Sequence, residues 1–465
     1  MDGTVAAVRL AEGAPLSSTL DATDPEDWLS LDAAVRGAAR YRSRFVPEWQ
    51  QSARDLTRLG ESRLAFALCH HDGRIRHEAV RRSARHPALL PLIVIRCTDW
   101  AGQVRECARE LLSEVLDVDA AVALAPLILR VGRRSRGAFG VEVLREALLR
   151  ASRERLAALL SSPDRVVRRF TYRLAVDSRL LRPAELARAA VQDEDSLIQD
   201  LCATAALAAL HDEGAYEDVM QPLLTARNPR TRSAGVTALR RAGRPEQAES
   251  FLGDRSALVR ACARYVVRRH GGDPVAWYRE RCATPYDFGV PPGAVIGLAE
   301  CGDRADAGLL RPLLAHPVAG VRARAVAGLR ALDCTDAEAL RPLLDDSAAG
   351  VVRETAVALL PSAKELPADW LMERIGPEQP RHVRLAAFRL LVARDGVVAL
   401  RAAVTLLEDP DVKLRTWAGQ SVQGWHPSPG ERYGDVDVGE LLDRSRHLFS
   451  DHVLRRRKWE AGVGG

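Results

Sequence analysis

One phrase recurs along this chain at an almost constant interval. It reads "DPDVKLRTWAGQSV" around Arg415, "PRHVRLAAFRLLV" around Arg384 and "AAGVVRETAVALL" around Arg353. Aligned on this Arg, the series is Arg76, Arg105, Arg136, Arg168, Gln199, Arg232, Arg260, Pro291, Arg322, Arg353, Arg384 and Arg415. Successive spacings are 29, 31, 32, 31, 33, 28 and then 31 five times. The preceding residue is apolar at ten of the twelve positions. Three residues after, Ala, Gly, Thr or Cys stands at eleven, Phe139 being the exception. A register held from residue 76 to residue 415 requires copies of one supersecondary unit, none able to bury its apolar face alone.

The spacing says what the unit is. Each phrase opens a helix whose apolar residues fall on one face; in "VRECARELLSEVL" these are Val104, Ala108, Leu111 and Leu112. The small residue lets a neighbouring helix approach closely. A shorter amphipathic segment precedes each phrase. In "TDAEALRPLL", Thr335 and Glu338 read as a capping box and Pro342 as a bend. Turn-forming stretches such as "ARNPR", "LEDPD" and "SSPDR" separate the two helices. Such pairs must stack. The expected fold is all-α, a right-handed α-solenoid of about twelve helix pairs with atypical capping helices.

The apolar–Arg pair, the small residue three places on, and an acid six places before the Arg (Asp99, Asp254, Asp409) together resemble HEAT repeats. The likeness is to the short HEAT-like type of about thirty residues that phycobilisome lyases also carry, and it spans residues 60–427. It implies the fold and a concave side lined by the second helix of each pair. It implies little about function, because this fold hosts many roles. The ten recurring arginines, Arg76, Arg105, Arg136, Arg168, Arg232, Arg260, Arg322, Arg353, Arg384 and Arg415, read as structural. Each is expected to bond an inter-helix turn or the acid of a neighbouring unit.

The organisation expected is a disordered, acidic N-terminus over residues 1–24 and capping helices over 25–58. The solenoid follows over 59–427, then a linker and a basic C-terminal helix over 428–465. There are 64 Arg against three Lys and one Asn, a bias of bacterial-like, GC-rich kind, so Arg abundance alone signals no ligand. Its distribution is more informative. Residues 1–30 carry a net −5, whereas residues 31–180 hold 28 Arg against 17 acids, a net +11. A basic N-terminal third suits a polyanion or an acidic protein.

Several chemistries lack their residues. The eight Cys form no CxxC pair and have no His at zinc spacing, so no metal site and no cofactor are expected. His77–Glu78 resembles one dyad of the HEAT-repeat deoxyhypusine hydroxylases, but a di-iron site needs several and this chain has one. No Gly-rich phosphate loop or nucleophile elbow appears, and no catalytic residue is assigned. The opening "MDGTVAAVRLAEG" lacks a signal peptide's basic start and apolar core. The expected location is the cytoplasm, with thiols reduced and no membrane partner.

The candidate partner-binding residues lie on the expected concave face. They are Arg81, Arg85, Arg145, Arg169 and Arg173 in the basic third, interrupted by Glu106 and Glu110. Later units offer Ala323, Ala327, Ala358, Leu385 and Gln420, a blander surface. An aromatic group, Trp277, Tyr278, Tyr286 and Phe288, marks the irregular unit in which Pro291 replaces the Arg; of these Trp277, Tyr286 and Phe288 join the candidate set. A face basic at one end and apolar at the other suits a protein or peptide partner, and the reading is a non-enzymatic scaffold or adaptor. The alternative is a DNA- or RNA-binding solenoid, similar to the HEAT-like alkylpurine DNA glycosylases, using the basic third. The oligomeric state is not legible.

Overall fold

The computed structural model describes residues 2–38, 60–209, 216–427 and 436–463. Every regular element among the described residues is a helix, and the chain is all-α, built of successive stacked helix pairs. It divides into two compact units, Met1–Arg227 and Asn228–Gly465. No described helix is long and apolar enough to cross a membrane.

In the first unit the helix pairs are Glu61–Leu68 with Gly73–Arg82, Leu90–Arg96 with Gly102–Val115, and Val118–Val131 with Ala138–Leu149. Two more follow, Arg153–Leu160 with Arg165–Asp177 and Pro183–Gln192 with Ser196–Ala208. Second helices pack on second helices, as Gly73–Arg82 does on Gly102–Val115 and Arg165–Asp177 on Ser196–Ala208. Short side chains sit at these crossings: Ala79, Ala108 and Cys202 are fully buried, and Thr171 nearly so.

The second unit stacks the helices Pro292–Cys301, Ala319–Ala331, Ala349–Leu359 and Arg381–Arg394 in sequence, each packing on the next, followed by Val412–Gly424. Ala263, Ala294, Ala325 and Ala418 at the same register are fully buried. First helices here are short. Ala307–Leu310 and Ala337–Leu340 each give way to a 3-10 turn, at Pro312–Ala315 and Arg341–Asp345, where a proline cannot donate to the helix. The expected cap at Thr335 is corrected: Asp336 is the N-cap, its carboxylate accepting from the backbone N–H of Glu338 and Ala339. Ala327 and Ala358, expected on the groove, are instead buried.

The irregular unit owes its sequence to close approach. A Cβ at Gly293 would stand 2.1 Å from the Gly253 carbonyl oxygen, and one at Gly297 would stand 2.5 Å from the Tyr278 ring. The helix Pro292–Cys301 therefore rests directly on its neighbours, and Pro291 occupies the space beside Gly253 where other units send a guanidinium.

The N-terminus departs from expectation. Residues 1–24 were expected to be disordered, yet Gly3–Ala11 is a helix capped by Asp2, with Ala6, Ala7 and Leu10 buried against the helices Pro25–Ala38 and Glu61–Leu68. Two of its three buried apolar side chains are alanine, too small to register as a core stripe, but small enough for close contact. The expected cap at 25–58 is a helix over Pro25–Ala38; the remainder of that stretch lies outside the described residues. The expected linker at 428–440 is described only from residue 436, where the helix Val436–Arg444 begins.

Candidate functional site

The recurring Arg sits near the start of each second helix, where its side chain can turn back toward the inter-helix turn. Arg76 donates to the carbonyl oxygens of His70 and His71, both at 2.8 Å, and forks onto Asp99 at 2.9 and 2.7 Å. Arg168 bonds the Ser162 carbonyl at 2.8 Å and the Asp193 carboxylate. Arg232 forks onto Asp254 at 2.9 and 2.8 Å. Arg322 bonds the His316 carbonyl at 2.8 Å and forks onto Asp346 at 2.7 and 2.8 Å. Arg384 pairs with Asp409. The carbonyls of Asp99, Asp254 and Asp409 then accept from Arg105, Arg260 and Arg415. Each such Asp also accepts the backbone N–H two residues on, as Asp254 does from Ser256 at 2.7 Å. One carboxylate thus receives the previous Arg and fixes its own turn. Such charge-assisted, two-pronged bonds consume the guanidinium, leaving little of it for a ligand.

After five of the placed arginines the next turn opens on Asp: Asp99, Asp193, Asp254, Asp346 and Asp409. Arg260 departs from this and pairs with Glu300 instead. Before Arg322 the turn opens on His316, after Pro291; before Arg168 it opens on Ser162, after Arg136, which lies exposed in a turn. His316 and Ser162 keep the turn bond with a neutral acceptor, His316 Nδ1 taking the Val318 N–H at 3.0 Å. A buried carboxylate without its cation would be costly.

Two members of the Arg column do not belong to it. Arg136 is exposed, and only its carbonyl is used, by Arg109 at 3.1 Å. Arg353 has a side chain 71% exposed and, among the described residues, meets only Glu354, at 3.5 Å. The Asp346 carbonyl above it is taken instead by His382 Nε2 at 3.1 Å. Sequence reading also missed Arg96. It lies outside the repeat register, yet is buried among Asp32, Asp99 and Arg76. Burial pushes the Asp32 carboxyl up, beyond what Arg36 offsets; burial also pushes Asp99 up, but its bonds from Arg76 and Ala101 bring it below the usual carboxylate range.

The proposed basic face of the first unit is broken. Arg81 is exposed, but Glu78 stands 3.8 Å from it and bonds Arg82 at 2.8 Å. Arg85 lies beyond the helix, in the 3-10 turn Ser83–Arg85. Arg145 is half-buried, and Arg169 forks onto Asp195 at 2.7 and 3.1 Å. Arg173 is exposed. The aromatic group is broken too. Tyr278 is core, donating to the Leu252 carbonyl at 2.9 Å, and Trp277 lies half-buried edge-on to it. Tyr286 and Phe288 project from the loop after Cys282, 72% and 75% exposed.

The second unit holds an open depression of about 720 Å³, lined by Arg381, Asp411, Val412, Lys413, Thr416, Trp417 and Gln420. Asp411 caps the helix Val412–Gly424 and pairs with Arg381, which holds its carboxyl down at about 2. Trp417 is half-buried, its ring set edge-on to Phe388 at 5.0 Å, and Val412 is 65% exposed. Of these residues the sequence reading had named only Gln420. Val412 two residues before an apolar core position was the available signal.

Among the described residues no group of three or more His, Cys, Asp or Glu could hold a metal ion. Burial pushes the Cys97, Cys202 and Cys282 thiols up to about 12.

No protein-family model and no curated protein matches the chain. Among solved structures, a crystal structure of importin beta is 11% identical, covering 97% of this chain and 68% of that one with a TM-score of 0.36. A structure of microtubule polymerases with tumor overexpressed gene (TOG) domain arrays is 12% identical, covering 85% and 97% with a TM-score of 0.23. An engineered protein is 17% identical, covering 77% and 97% with a TM-score of 0.21.

Proposed function

We propose that this chain is a non-enzymatic, cytoplasmic scaffold of short HEAT-like helix pairs that binds a partner protein. The observation that carries the reading is the depression around Trp417. It combines an indole, an exposed valine and an ion pair on packed helices, the mixture that protein-binding hot spots use. It is open, as a peptide or protein surface requires, rather than enclosing a small molecule. A nucleic-acid track would need a continuous positive stripe, whereas Glu78 and Asp195 neutralise much of the basic face of the first unit.

The test is cross-linking in the native host, comparing wild type with Val412→Asp plus Trp417→Ala. Loss of specific cross-linked proteins at unchanged thermal midpoint supports the reading. An unchanged set of cross-links sinks it.

A further inference from the structure

A second surface lies in the first unit, where the turn after Arg96 meets the loop between the helices Val118–Val131 and Ala138–Leu149. That loop reads "VGRRSRG", residues 131–137. It is tightly closed. Arg134 N–H donates to the Val131 carbonyl and Gly137 N–H to the Arg134 carbonyl, and a Cβ at Gly137 would stand 2.5 Å from the Val131 oxygen. Two contacts tie it to the neighbouring turn: Arg134 donates to Thr98 Oγ1 at 3.3 Å, and Arg109 bridges the Cys97 and Arg136 carbonyls at 3.2 and 3.1 Å. Two residues from Thr98 stands Trp100, 66% exposed, with the Arg76 guanidinium 5.7 Å from its ring centre.

The cations here divide by use. Arg130 is paired with Glu26, Arg105 lies 3.7 Å from Glu106, and Arg134 faces Thr98 and Asp32. Arg133 and Arg136 are exposed and have no carboxylate partner among the described residues. The result is two unneutralised guanidiniums on a loop whose backbone is already fixed, with an open indole two residues from the Thr98 that Arg134 bonds.

We propose that this loop and Trp100 anchor an acidic, extended segment of a protein partner, with carboxylates on Arg133 and Arg136 and an apolar side chain on the indole. The inference rests on the scaffold reading above. Arg and Trp are the side chains that most often dominate protein interfaces, and a fixed loop loses little entropy on binding. The neighbouring Arg130 and Arg105 are already met by the exposed Glu26 and Glu106, so the unneutralised charge is confined to this loop.

The probe is a fluorescein-labelled synthetic peptide of Glu, Asp and Leu, titrated by anisotropy at several salt concentrations. Its controls are the same peptide with Gln and Asn for the acids, and an oligothymidine of equal charge. The acidic peptide should bind, weaken with salt, and lose about tenfold in affinity with Arg133→Ser plus Arg136→Ser. Trp100→Ala should lose about as much, with Trp100→Phe retaining most of the binding. Thermal midpoints of the Arg variant should match wild type, since neither side chain holds the fold. No binding of the acidic peptide at low salt overturns the proposal, as does binding that both variants leave intact. Oligothymidine binding as tightly as the peptide overturns it too, in favour of a nucleic-acid site. The variants at Val412 and Trp417 should leave this titration unchanged, so the two surfaces fail or survive separately.

Discussion

Arg232 forks onto Asp254 with both outer bonds under 3 Å, at 2.9 and 2.8 Å, across two successive helix pairs. The same geometry joins Arg322 to Asp346, whose side chains are both largely buried. Arg322→Ala should therefore leave a carboxylate short of its cation and cost about 3 kcal/mol. Arg353→Ala removes an exposed side chain and should fall within about 0.5 kcal/mol of wild type. Urea midpoints of the two variants would check this; equal losses would mean that Arg353 belongs to the ladder after all.

Ala325 is fully buried at a crossing of second helices, whereas Ala323, two residues before it, is half-exposed. Ala325→Leu should cost about 1–3 kcal/mol through overpacking. Ala323→Leu should cost much less. A thermal melt in which Ala323→Leu is the more damaging change would reverse the assigned register.

The ladder carboxylates also set an acid limit. Burial pushes Asp254 and Asp346 up, but bonds from Arg232 and Arg322 and from backbone N–H groups outweigh it, and both are held below the model-compound value of 3.8. A depressed carboxylate contributes stability that is complete above its unfolded pKa and is lost as pH falls through the folded one. Stability should thus hold from neutrality down to about pH 4 and decline below it. Arg322→Ala should show a shallower decline below pH 4 than wild type in a series of melts.

Thiols at Cys97, Cys202 and Cys282, pushed up to about 12 by burial, should resist alkylation by iodoacetamide at neutral pH until the chain unfolds. Mass-spectrometric labelling of any of the three in native protein at a rate matching a free thiol would contradict their burial.

The net +11 of residues 31–180 still invites a nucleic-acid test. Duplex DNA should bind weakly and be lost near physiological salt, with log affinity falling by about 0.9 per log salt for each phosphate met. Changing Arg81, Arg85, Arg169 and Arg173 together to Ser should flatten that slope only in part, since Arg81 lies near Glu78 and Arg169 is already tied to Asp195. Tight binding that the four changes abolish would promote the nucleic-acid reading over the scaffold.

The helix pairs could be read from the sequence because stacking forces one small residue into each crossing, at Ala79, Ala108, Ala263, Ala294, Ala325 and Ala418 alike. Which side of a second helix stays open could not, because that depends on what packs against it from other pairs: Ala327 and Ala358 share the spacing of groove positions and yet lie in the core. Spacing held one further signal: Arg353 stands seven residues after Asp346, whereas Arg105, Arg260, Arg322 and Arg415 stand six after the carbonyls they bond. The depression at Trp417 needed two helix starts, at Arg381 and Val412, to be brought side by side, and no local pattern encodes that.

The missing rungs have a mechanical meaning. Where Arg and Asp lock adjacent layers, sliding one layer over the next must break two short ionic bonds at once. At Pro291, and again at Arg353, the clasp passes from the second helices to the first: Arg279 forks onto Asp306 at 2.7 and 3.2 Å, and Arg374 onto Asp345 at 2.9 and 2.6 Å. Resistance to shear therefore changes side along the second unit. Under load, Arg374→Ala should make the joint at Arg353 yield first, seen in force–extension traces of single molecules as an early step absent from wild type.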